Sequence, residues 1–232
     1  MSSVDGRLLP SRWTSPFDGT PASELFGEYA RLGKELSTDA WMFGLTTAQE
    51  GVLPYKFVGK KTEHTMPKKP YIDLSPRKST RLFIVSDPEG KIFYHTPSVR
   101  GDNIVAIIGE NVTDEYLQHL QSAHISYVFG GEDGYDMLTA LETLGNLFDI
   151  KSISLQGGGV IDGAMLAAGL IDELSLVLYP GIDGKAGIPS VFEYIGNADL
   201  PAQGQSLELE SVDKCSHGIV RLRYIIHKNQ SV

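Results

Sequence analysis

Residues 151–180, KSISLQGGGVIDGAMLAAGLIDELSLVLYP, decide the fold of this chain. A short apolar run at 153–155, typical of a covered strand, leads into three glycines at 157–159. Apolar residues then recur at helical spacing, and Gly169 stands where a left-handed helix end favours a residue without Cβ. The alternation over 174–179 indicates a further strand. The pattern therefore predicts a strand, a glycine turn, a helix and a second strand.

The glycine turn is the chemical feature of this stretch. Residues without side chains let backbone N–H groups approach a ligand closely, at the positive end of the following helix. This arrangement suits a phosphate or diphosphate group. A tight turn that binds nothing is an open alternative, because the Gly-x-Gly-x-x-Gly fingerprint of dinucleotide sites is absent.

The preceding part of the chain alternates short apolar strands with amphipathic helices. The patterns predict strands at 40–43, 82–85, 104–108 and 125–129, and helices at 21–37, 114–122 and 134–147. Thr113 is expected to cap the second of these helices. Such alternation is typical of an α/β fold with a mostly parallel central sheet, helices on its faces and ligand sites at the carboxyl ends of its strands.

The pattern changes in the two remaining stretches. Residues 52–80 predict a long loop with at most one short strand. Residues 181–205 predict another loop, with a short helix at 190–195. Residues 206–214 and 219–227 alternate around a turn and predict a C-terminal antiparallel hairpin on the edge of the sheet. We expect a single domain over residues 1–232.

Composition excludes several classes of function. The chain has 232 residues and a formal net charge of −9, which argues against binding to nucleic acid or to an anionic membrane. No apolar run approaches membrane-spanning length. Cys215 is the single cysteine, so no intrachain disulfide can form, and this fits a cytoplasmic protein. The six histidines show no metal-ligand spacing, and we therefore predict no metal site.

Other polar residues follow predicted strands at the edge where a ligand would bind. Gly44 ends the first strand, and Thr46 and Thr47 come where a helix begins, so either threonine could cap that helix or bind a phosphate. Ser86 follows the second strand, with a turn as the simpler explanation. Asp5 is a turn carboxylate close to the start of the chain.

Two blocks give the chain a family resemblance. MSSVDGRLLP at residues 1–10 resembles the Met-Ser-x-Asp-Gly-Lys motif of riboflavin-biosynthesis pyrimidine reductases. Residues 155–187 resemble the same family's Glu-Gly-Gly segment, its Gly-Leu-x-Asp-Glu-Leu and the Pro-x-x-x-Gly loop that follows. Asp39-Ala40 through Gly44 and Thr47, and the final hairpin, also fit. The family is the reductase half of the bifunctional deaminase–reductase.

The resemblance implies a dihydrofolate-reductase-like three-layer fold, a homodimer and NADPH as the hydride donor. The reaction would be reduction of a ribosylamino-pyrimidine to a ribitylamino-pyrimidine, with the cofactor supplying the hydride and the protein supplying orientation. Asp5 would lie near the nicotinamide and the substrate. The expected cofactor-binding residues are Gly44, Thr46, Thr47, Ser86, Gly157, Gly158, Gly159, Val160 and Ile161.

The chain departs from the family pattern on the substrate side. Gln156 replaces the glutamate that the family has before the glycines, and a glutamine cannot serve as the same acid or base. Because of its position, Gln156 is still predicted, with Asp5, to be a catalytic residue. Gly51 replaces an aspartate, with Glu50 beside it. The arginine expected for the substrate phosphate has no counterpart, and Lys56 and Lys60 are the nearby cations. The family's first strand should precede Asp5, so a truncated or misassigned start is expected.

These departures leave three hypotheses open. The first is the riboflavin-pathway reductase, with Glu50 and Lys56 as substrate-binding residues. The second is a paralogous NADPH-dependent reductase acting on a pterin or another small cyclic substrate. The third is a nucleotide-binding module without turnover, which the missing carboxylates at 51 and 156 favour modestly.

Overall fold

A computed structural model describes residues 1–59, 66–73, 75 and 79–228. Its chain forms two compact units, one made of Met1–Ser37 with the chain from Gly158 onward, and the other of Thr38–Gly157. In chain order the elements are α1 (Ala22–Glu35), β1 (Ala40–Gly44), α2 (Leu45–Gly51), β2 (Leu82–Ser86), β3 (Ser98–Val99), β4 (Asp102–Ile108), α3 (Asp114–Ser122), β5 (Ser126–Phe129), α4 (Met137–Phe148), β6 (Ile153–Leu155), α5 (Gly159–Ala167), β7 (Glu173–Leu178), β8 (Gln205–Lys214) and β9 (Val220–Lys228).

The unit Thr38–Gly157 is built on a mostly parallel sheet. Its parallel strands lie in the order β6–β1–β2–β4–β5, and β3 pairs antiparallel with the first residues of β4. The chain runs outward from β1 through β2, β4 and β5 and then returns to β6 on the other side of β1. The strand order therefore reverses between β1 and β6. In open α/β sheets such a reversal point is where ligands bind, outside the carboxyl ends of the strands.

The apolar runs explain why these residues form this sheet. All of Leu82–Ser86 is buried, as are residues 104–108 of β4, because helices and loops cover both faces. Continuous burial of this kind is typical of parallel strands. The predicted strands at 40–43, 82–85, 104–108 and 125–129 are confirmed, and Thr113 caps α3 by accepting a hydrogen bond from the Tyr116 amide at 3.2 Å.

The other unit contains a three-stranded antiparallel sheet in the order β7–β9–β8. The predicted hairpin of β8 and β9 is confirmed, but its predicted place on the edge of the parallel sheet is wrong, because β9 pairs with β7. The sequence of β7 explains why this strand is not part of the parallel sheet. It alternates, as a strand with one packed face does, whereas parallel strands covered on both faces are continuously apolar. One face packs against α1, where Leu25 and Leu32 meet Val177 and Ile219.

Two further expectations differ from the structure. The helix predicted from residue 134 begins at Met137, since the Asp136 carboxylate caps it by accepting from the Thr139 amide. The short helix predicted at 190–195 does not form. Its amides bond elsewhere: Ser190 N donates to the Glu193 carboxylate and Glu193 N donates to Gly159 O. Within the described part of 52–80, pairing is limited to isolated bridges at Lys56 and Tyr71, and the remainder lies outside the described residues.

The turn after β2 is organised by a buried carboxylate. Asp87 accepts hydrogen bonds from the backbone amides of Lys91 and Ile92, at 2.8 and 3.0 Å, and from the Tyr116 hydroxyl at 2.5 Å. Burial raises the pKa of this carboxyl group, and the three donors oppose that rise. The simpler explanation for the polar residues after the second strand, that they form a turn, therefore holds for Asp87.

We expect Asp87→Ala to lower the free energy of unfolding by about 3 kcal/mol or more, because three buried donors lose their acceptor. Glu89→Ala is the matched control, since Glu89 lies on the same turn and pairs with Lys91 at the surface. It should change stability by less than about 0.5 kcal/mol. Urea unfolding at neutral pH measures both, and equal effects would contradict this role of Asp87.

Candidate functional site

The start of α5 presents backbone amides with no acceptor. Gly157 adopts φ +88°, which favours glycine, and Gly158 precedes the helix in an extended conformation with φ −77° and ψ −175°. Within the described chain, none of the amides of residues 157–161 has a hydrogen-bond acceptor, and the first amide of this segment that does is that of Asp162, which donates to Gly158 O at 3.2 Å. A helix start leaves such donors free for a ligand.

Side chains do not bury this helix start. Val160 is 49% exposed and Gly158 is partly exposed, whereas Gly159 and Ile161 face the protein interior. The helix start therefore has one exposed side, at positions 158 and 160, where amides without an acceptor can meet an anion. This is the condition that a diphosphate site at the glycine turn requires.

Residues 190–194, here called the strap, pack tightly against α5. Glu193 N donates to Gly159 O at 2.8 Å, and the Glu193 carboxylate accepts from Ser190 N at 2.7 Å. A Cβ at Gly159 would lie 2.2 Å from Ser190 O, and one at Gly163 would lie 2.6 Å from the Glu193 carbonyl carbon. The two glycines, four residues apart on one helix face, are thus required by the backbone of the strap. Glu193 was not a candidate in the sequence, because its role depends on a contact distant along the chain.

Asp5 is occupied by hydrogen bonds. Its carboxylate accepts from the Ser3 hydroxyl at 2.6 Å, from Gly184 N at 2.8 Å and from Asp183 N at 3.1 Å. These donors, with the Ser3 hydroxyl first, hold the pKa of Asp5 well below its usual range. The predicted catalytic residue is therefore a permanent anion that fixes the 183–184 turn, and it is poorly suited to deliver a proton.

Two segments that carry the sequence resemblance, residues 1–10 and the loop after β7, lie in the unit made of Met1–Ser37 with the chain from Gly158 onward. Arg12 forms a two-point ion pair with Asp183, at 2.7 and 2.9 Å, and Arg7 Nη1 donates to Ile188 O at 2.8 Å. Residues 1–14 are in this way bonded to the loop after β7. That loop leads directly into the strap, and the strap contacts the start of α5.

In the parallel-sheet unit, the ends of β1 and β6 are joined at the point where strand order reverses. Gly44 N donates to Gly157 O at 2.9 Å, and Gln156 N donates to Met42 O at 2.8 Å. The Gln156 side-chain amide donates to Ser154 Oγ at 2.6 Å. Ser86 ends β2 directly opposite Gly44 and is buried, with 6% of its surface exposed.

Neither Thr46 nor Thr47 caps α2. The capping position belongs to Gly44, which has no side chain, and both threonines lie in the first turn of the helix. The predicted capping role is therefore wrong for both. Within the described residues their hydroxyls have no hydrogen-bond partner, so they are available to a ligand.

The two predicted substrate-binding residues lie on separate elements of the parallel-sheet unit. Glu50 is exposed near the end of α2. Lys56 is exposed on a segment that bridges to Ile92, and with Tyr55, Phe93 and His95 it lines a shallow surface depression. Lys60 lies outside the described residues.

Asp162 is a further ionisable group, and it is not among the site residues predicted from the sequence. It lies in the first turn of α5, and its Oδ1 is buried without a hydrogen-bond partner in the described chain. Burial raises its pKa to about 7, an effect that the nearby N-terminal ammonium of Met1 partly offsets. The sequence signal that could have identified Asp162 is a carboxylate residue within an otherwise apolar helix.

The described ranges contain neither a cluster of metal-ligating side chains nor a membrane-spanning helix. No three His, Cys, Asp or Glu side chains there are grouped so that they could hold a metal ion. In that same part of the chain, no helix combines the length and apolarity needed to cross a bilayer.

The strap contact predicts opposite outcomes for two helical glycines. Alanine is favoured over glycine by about 1 kcal/mol inside a helix. Gly27→Ala on α1, where nothing lies within 4 Å of a Cβ, should therefore stabilise the protein. Gly163→Ala should instead destabilise it by about 1–3 kcal/mol, because the new methyl group meets the backbone of the strap. Thermal unfolding of both variants decides the matter, and a stabilised Gly163→Ala protein would refute the contact.

The raised pKa of Asp162 predicts that this residue lowers the free energy of unfolding as pH rises. The unfolded chain loses this proton near pH 3.8 and the folded chain near pH 7. The folded state then binds more protons between these values, so the contribution of Asp162 to the free energy of unfolding falls as pH rises from about 4 to 7, by at most about 4 kcal/mol. Asp162→Asn should gain stability over the parent protein at pH 8 relative to pH 4.5. An equal difference at both pH values would contradict the assignment.

The comparisons with known proteins agree with this architecture. The family model described as RibD C-terminal domain matches residues 1–221. The chain is similar to a pyrimidine reductase-like protein of Corynebacterium diphtheriae, at 16% identity over 98% of this chain and 90% of that one, with a TM-score of 0.66. No curated protein sequence matches it.

Two longer proteins of known structure are also similar. RibD of Acinetobacter baumannii aligns at 19% identity over 97% of this chain, with a TM-score of 0.58. The bifunctional deaminase/reductase of Thermotoga maritima aligns at 14% identity over 97%, with a TM-score of 0.52. This chain spans 56% and 54% of their lengths. The predicted fold class, mixed α/β with a mostly parallel sheet and a C-terminal antiparallel hairpin, is confirmed. Since the family model covers nearly the whole chain, the protein belongs to the RibD C-terminal domain family.

Proposed function

We propose that this protein is an NADPH-dependent reductase of the type that reduces 5-amino-6-(5-phosphoribosylamino)uracil in riboflavin biosynthesis. Family membership supports the reductase class. The similar structures include a RibD and a bifunctional protein whose second activity is this reduction. The choice of NADPH and of the pyrimidine comes from the sequence resemblance.

The observation that carries the proposal is the run of amides without acceptors at the start of α5. A dinucleotide's diphosphate needs several N–H donors and a positive helix end, and residues 158–161 offer both. Glycine at 158 leaves the approach to these donors open, since Gly158 is partly exposed. The residues present therefore fit the phosphate part of a dinucleotide.

The parallel-sheet unit supports the same function independently. Its strand order reverses between β1 and β6, where Gly44, Gln156 and Gly157 lie. The hydroxyls of Thr46 and Thr47 follow Gly44 and are available, and Ser86 ends the neighbouring strand. These residues are the cofactor contacts proposed for this unit, and the bound cofactor would supply the hydride.

The protein's own part in the reaction is orientation. Asp5 holds the 183–184 turn as an anion, so it shapes that loop without exchanging a proton. The Gln156 side-chain amide donates to Ser154 Oγ, and an amide group is neither an acid nor a base for the reaction. Glu50 and Lys56 are proposed to contact the substrate, with Lys56 as the cation for a phosphate.

A second candidate is a reductase with a different substrate. Gln156 and Gly51 stand where the resembling family has carboxylates, and the Asp5 carboxylate is fully engaged. These features lower the fit to the riboflavin intermediate and leave the diphosphate cradle intact. A pterin or another small cyclic imine would need fewer charged contacts. The third candidate, a nucleotide-binding module without turnover, would bind its ligand with the same amides at residues 158–161.

Cofactor binding is tested by thermal unfolding with and without NADPH. A ligand at about 100 times its Kd stabilises the native state by about 2.7 kcal/mol, which raises Tm by several degrees. Gly158→Val should abolish this rise, because its side chain would obstruct the amides, while its extended backbone accepts valine without strain. Gly27→Val on exposed α1 is the control and should keep the rise. An unchanged NADPH affinity in folded Gly158→Val would show that the turn is merely structural.

Turnover separates the three candidates. We expect NADPH oxidation with the ribosylamino-pyrimidine, measured as the loss of absorbance of the reduced nicotinamide. Oxidation with dihydrofolate alone would instead favour the paralogous reductase. An NADPH-dependent rise in Tm with no oxidation by either compound would favour the binding module, and no rise at all would refute every one of them.

A further inference from the structure

Asp162 lies about one helical turn from the amides that form the proposed diphosphate site. Gly158 caps the start of α5, and Asp162 is the fourth residue of the helix. A helix rises about 1.5 Å per residue, so the Cα atoms of these two residues are about 6 Å apart along the helix axis. At that separation, a charge on the Asp162 carboxyl group acts strongly on an anion held by the amides of residues 158–161.

The surroundings of the Asp162 carboxyl group disfavour its ionised form. Its Oδ1 is buried, and in the part of the chain that the structure describes it accepts no hydrogen bond. Asp5, in the same unit, is the contrast, because a hydroxyl and two amides donate to its carboxylate and keep it ionised. Burial without such donors raises the pKa of Asp162 to about 7. Asp162 is therefore able to change its charge near neutral pH, whereas Asp5 is not.

Two other ionisable groups interact with Asp162 from the elements around it. The N-terminal ammonium of Met1 is buried, which lowers its pKa to about 6, and the charge of Asp162 partly opposes this fall. The Tyr29 hydroxyl on α1 has its pKa raised to about 12 by burial and by Asp162, so it stays neutral. Asp162 and the Met1 amine thus both change charge between about pH 5 and pH 8.

The strap and β8 also contact α5. The strap carries Glu193, whose carboxylate accepts from Ser190 N at 2.7 Å within the strap itself. The start of β8 carries the uncharged Gln205, which donates to Leu166 O at 2.8 Å. The charge that changes beside the helix start is therefore that of Asp162 and the Met1 amine.

The two titrations change this charge in the same direction. At pH 6 the Asp162 carboxyl group is mostly protonated, and about half of the Met1 amine is charged. At pH 8 the carboxylate is negative and the amine is neutral. An anion on the amides of residues 158–161 is therefore attracted at the lower pH and repelled at the higher one.

We propose that binding of a dinucleotide's diphosphate at the start of α5 is coupled to the uptake of one proton by Asp162, which makes cofactor affinity depend on pH. The inference rests on the proposed function, since the diphosphate belongs to the proposed cofactor. The proton passes from solvent to the carboxylate, and no bond of the cofactor changes. By linkage, a ligand that binds more tightly when Asp162 is protonated raises the pKa of that group by the same factor.

Calorimetric titration with NADPH at pH 6 and pH 8 measures the coupling. The phosphate monoester of NADPH titrates at about pH 6 in its own right, so the comparison with Asp162→Asn isolates the part of the protein. At pH 8 Asp162→Asn should bind NADPH about tenfold more tightly than the parent, because the repelling carboxylate is gone. At pH 6 the two proteins should differ by less than about twofold, since the parent carboxyl group is then mostly neutral. The same ratio of Kd values at both pH values would overturn the inference.

Asp199→Asn is the matched control. Asp199 is exposed in the same unit, and its replacement makes the same change in net charge. It should leave the Kd for NADPH within about twofold of the parent at both pH values. If Asp199→Asn tightened binding at pH 8 as much as Asp162→Asn, net charge alone would explain the effect and the inference would be wrong.

Proton uptake by the parent protein covers the case in which Asp162→Asn fails to fold. Calorimetry at pH 8 in two buffers of different ionisation enthalpy gives the number of protons taken up as NADPH binds, and at this pH the phosphate monoester is already ionised. A rise in the pKa of Asp162 from about 7 to about 8 gives an uptake of about 0.4 proton. Binding without uptake would overturn the inference and leave the proposed function standing. The absence of binding at either pH would refute the proposed function, and the inference with it.

Discussion

The contact between α5 and the strap is the constraint on which the candidate site depends. Gly159 and Gly163 have no side chains, and the backbone of residues 190–194 occupies the space where Cβ atoms would be. The hydrogen bond from Glu193 N to Gly159 O fixes the helix start against the strap. The helix is thereby held on its inner face, and its first amides are left for a ligand. A larger residue at either position would move the helix start and those amides together.

The chemistry of the unit then follows from which polar groups are already satisfied. The Asp5 carboxylate accepts hydrogen bonds from one hydroxyl and two amides, so it acts as a fixed anion bonded to the loop after β7. Within the described chain the amides of residues 158–161 have no acceptor, and in the parallel-sheet unit the hydroxyls of Thr46 and Thr47 have no hydrogen-bond partner. A protein with donors available and acids engaged is suited to hold an anionic cofactor and a substrate in place. Reduction by a bound nicotinamide needs this kind of support more than it needs a strong acid.

Much of the fold was predictable because its signals are local. Continuous apolar runs identified the parallel strands, and Thr113 was a cap by residue type alone. The alternation of β7 also indicated that this strand has one packed face, but it did not specify that the strand pairs with β9 in a separate sheet. Partner choice among strands depends on pairings tens of residues away, and no local pattern specifies it.

The sequence by itself determined the glycine turn, the order of strands and helices, and the family to which the chain is similar. Only the tertiary structure decided what its polar groups do. It showed that Asp5 is engaged, that α2 begins without a threonine cap, and that Glu193 secures α5. It also paired β7 with β9 in an antiparallel sheet separate from the parallel one. The physical reason is that residue type states what a group can donate, accept or bury, while its partners are set by segments that meet only after the chain has folded.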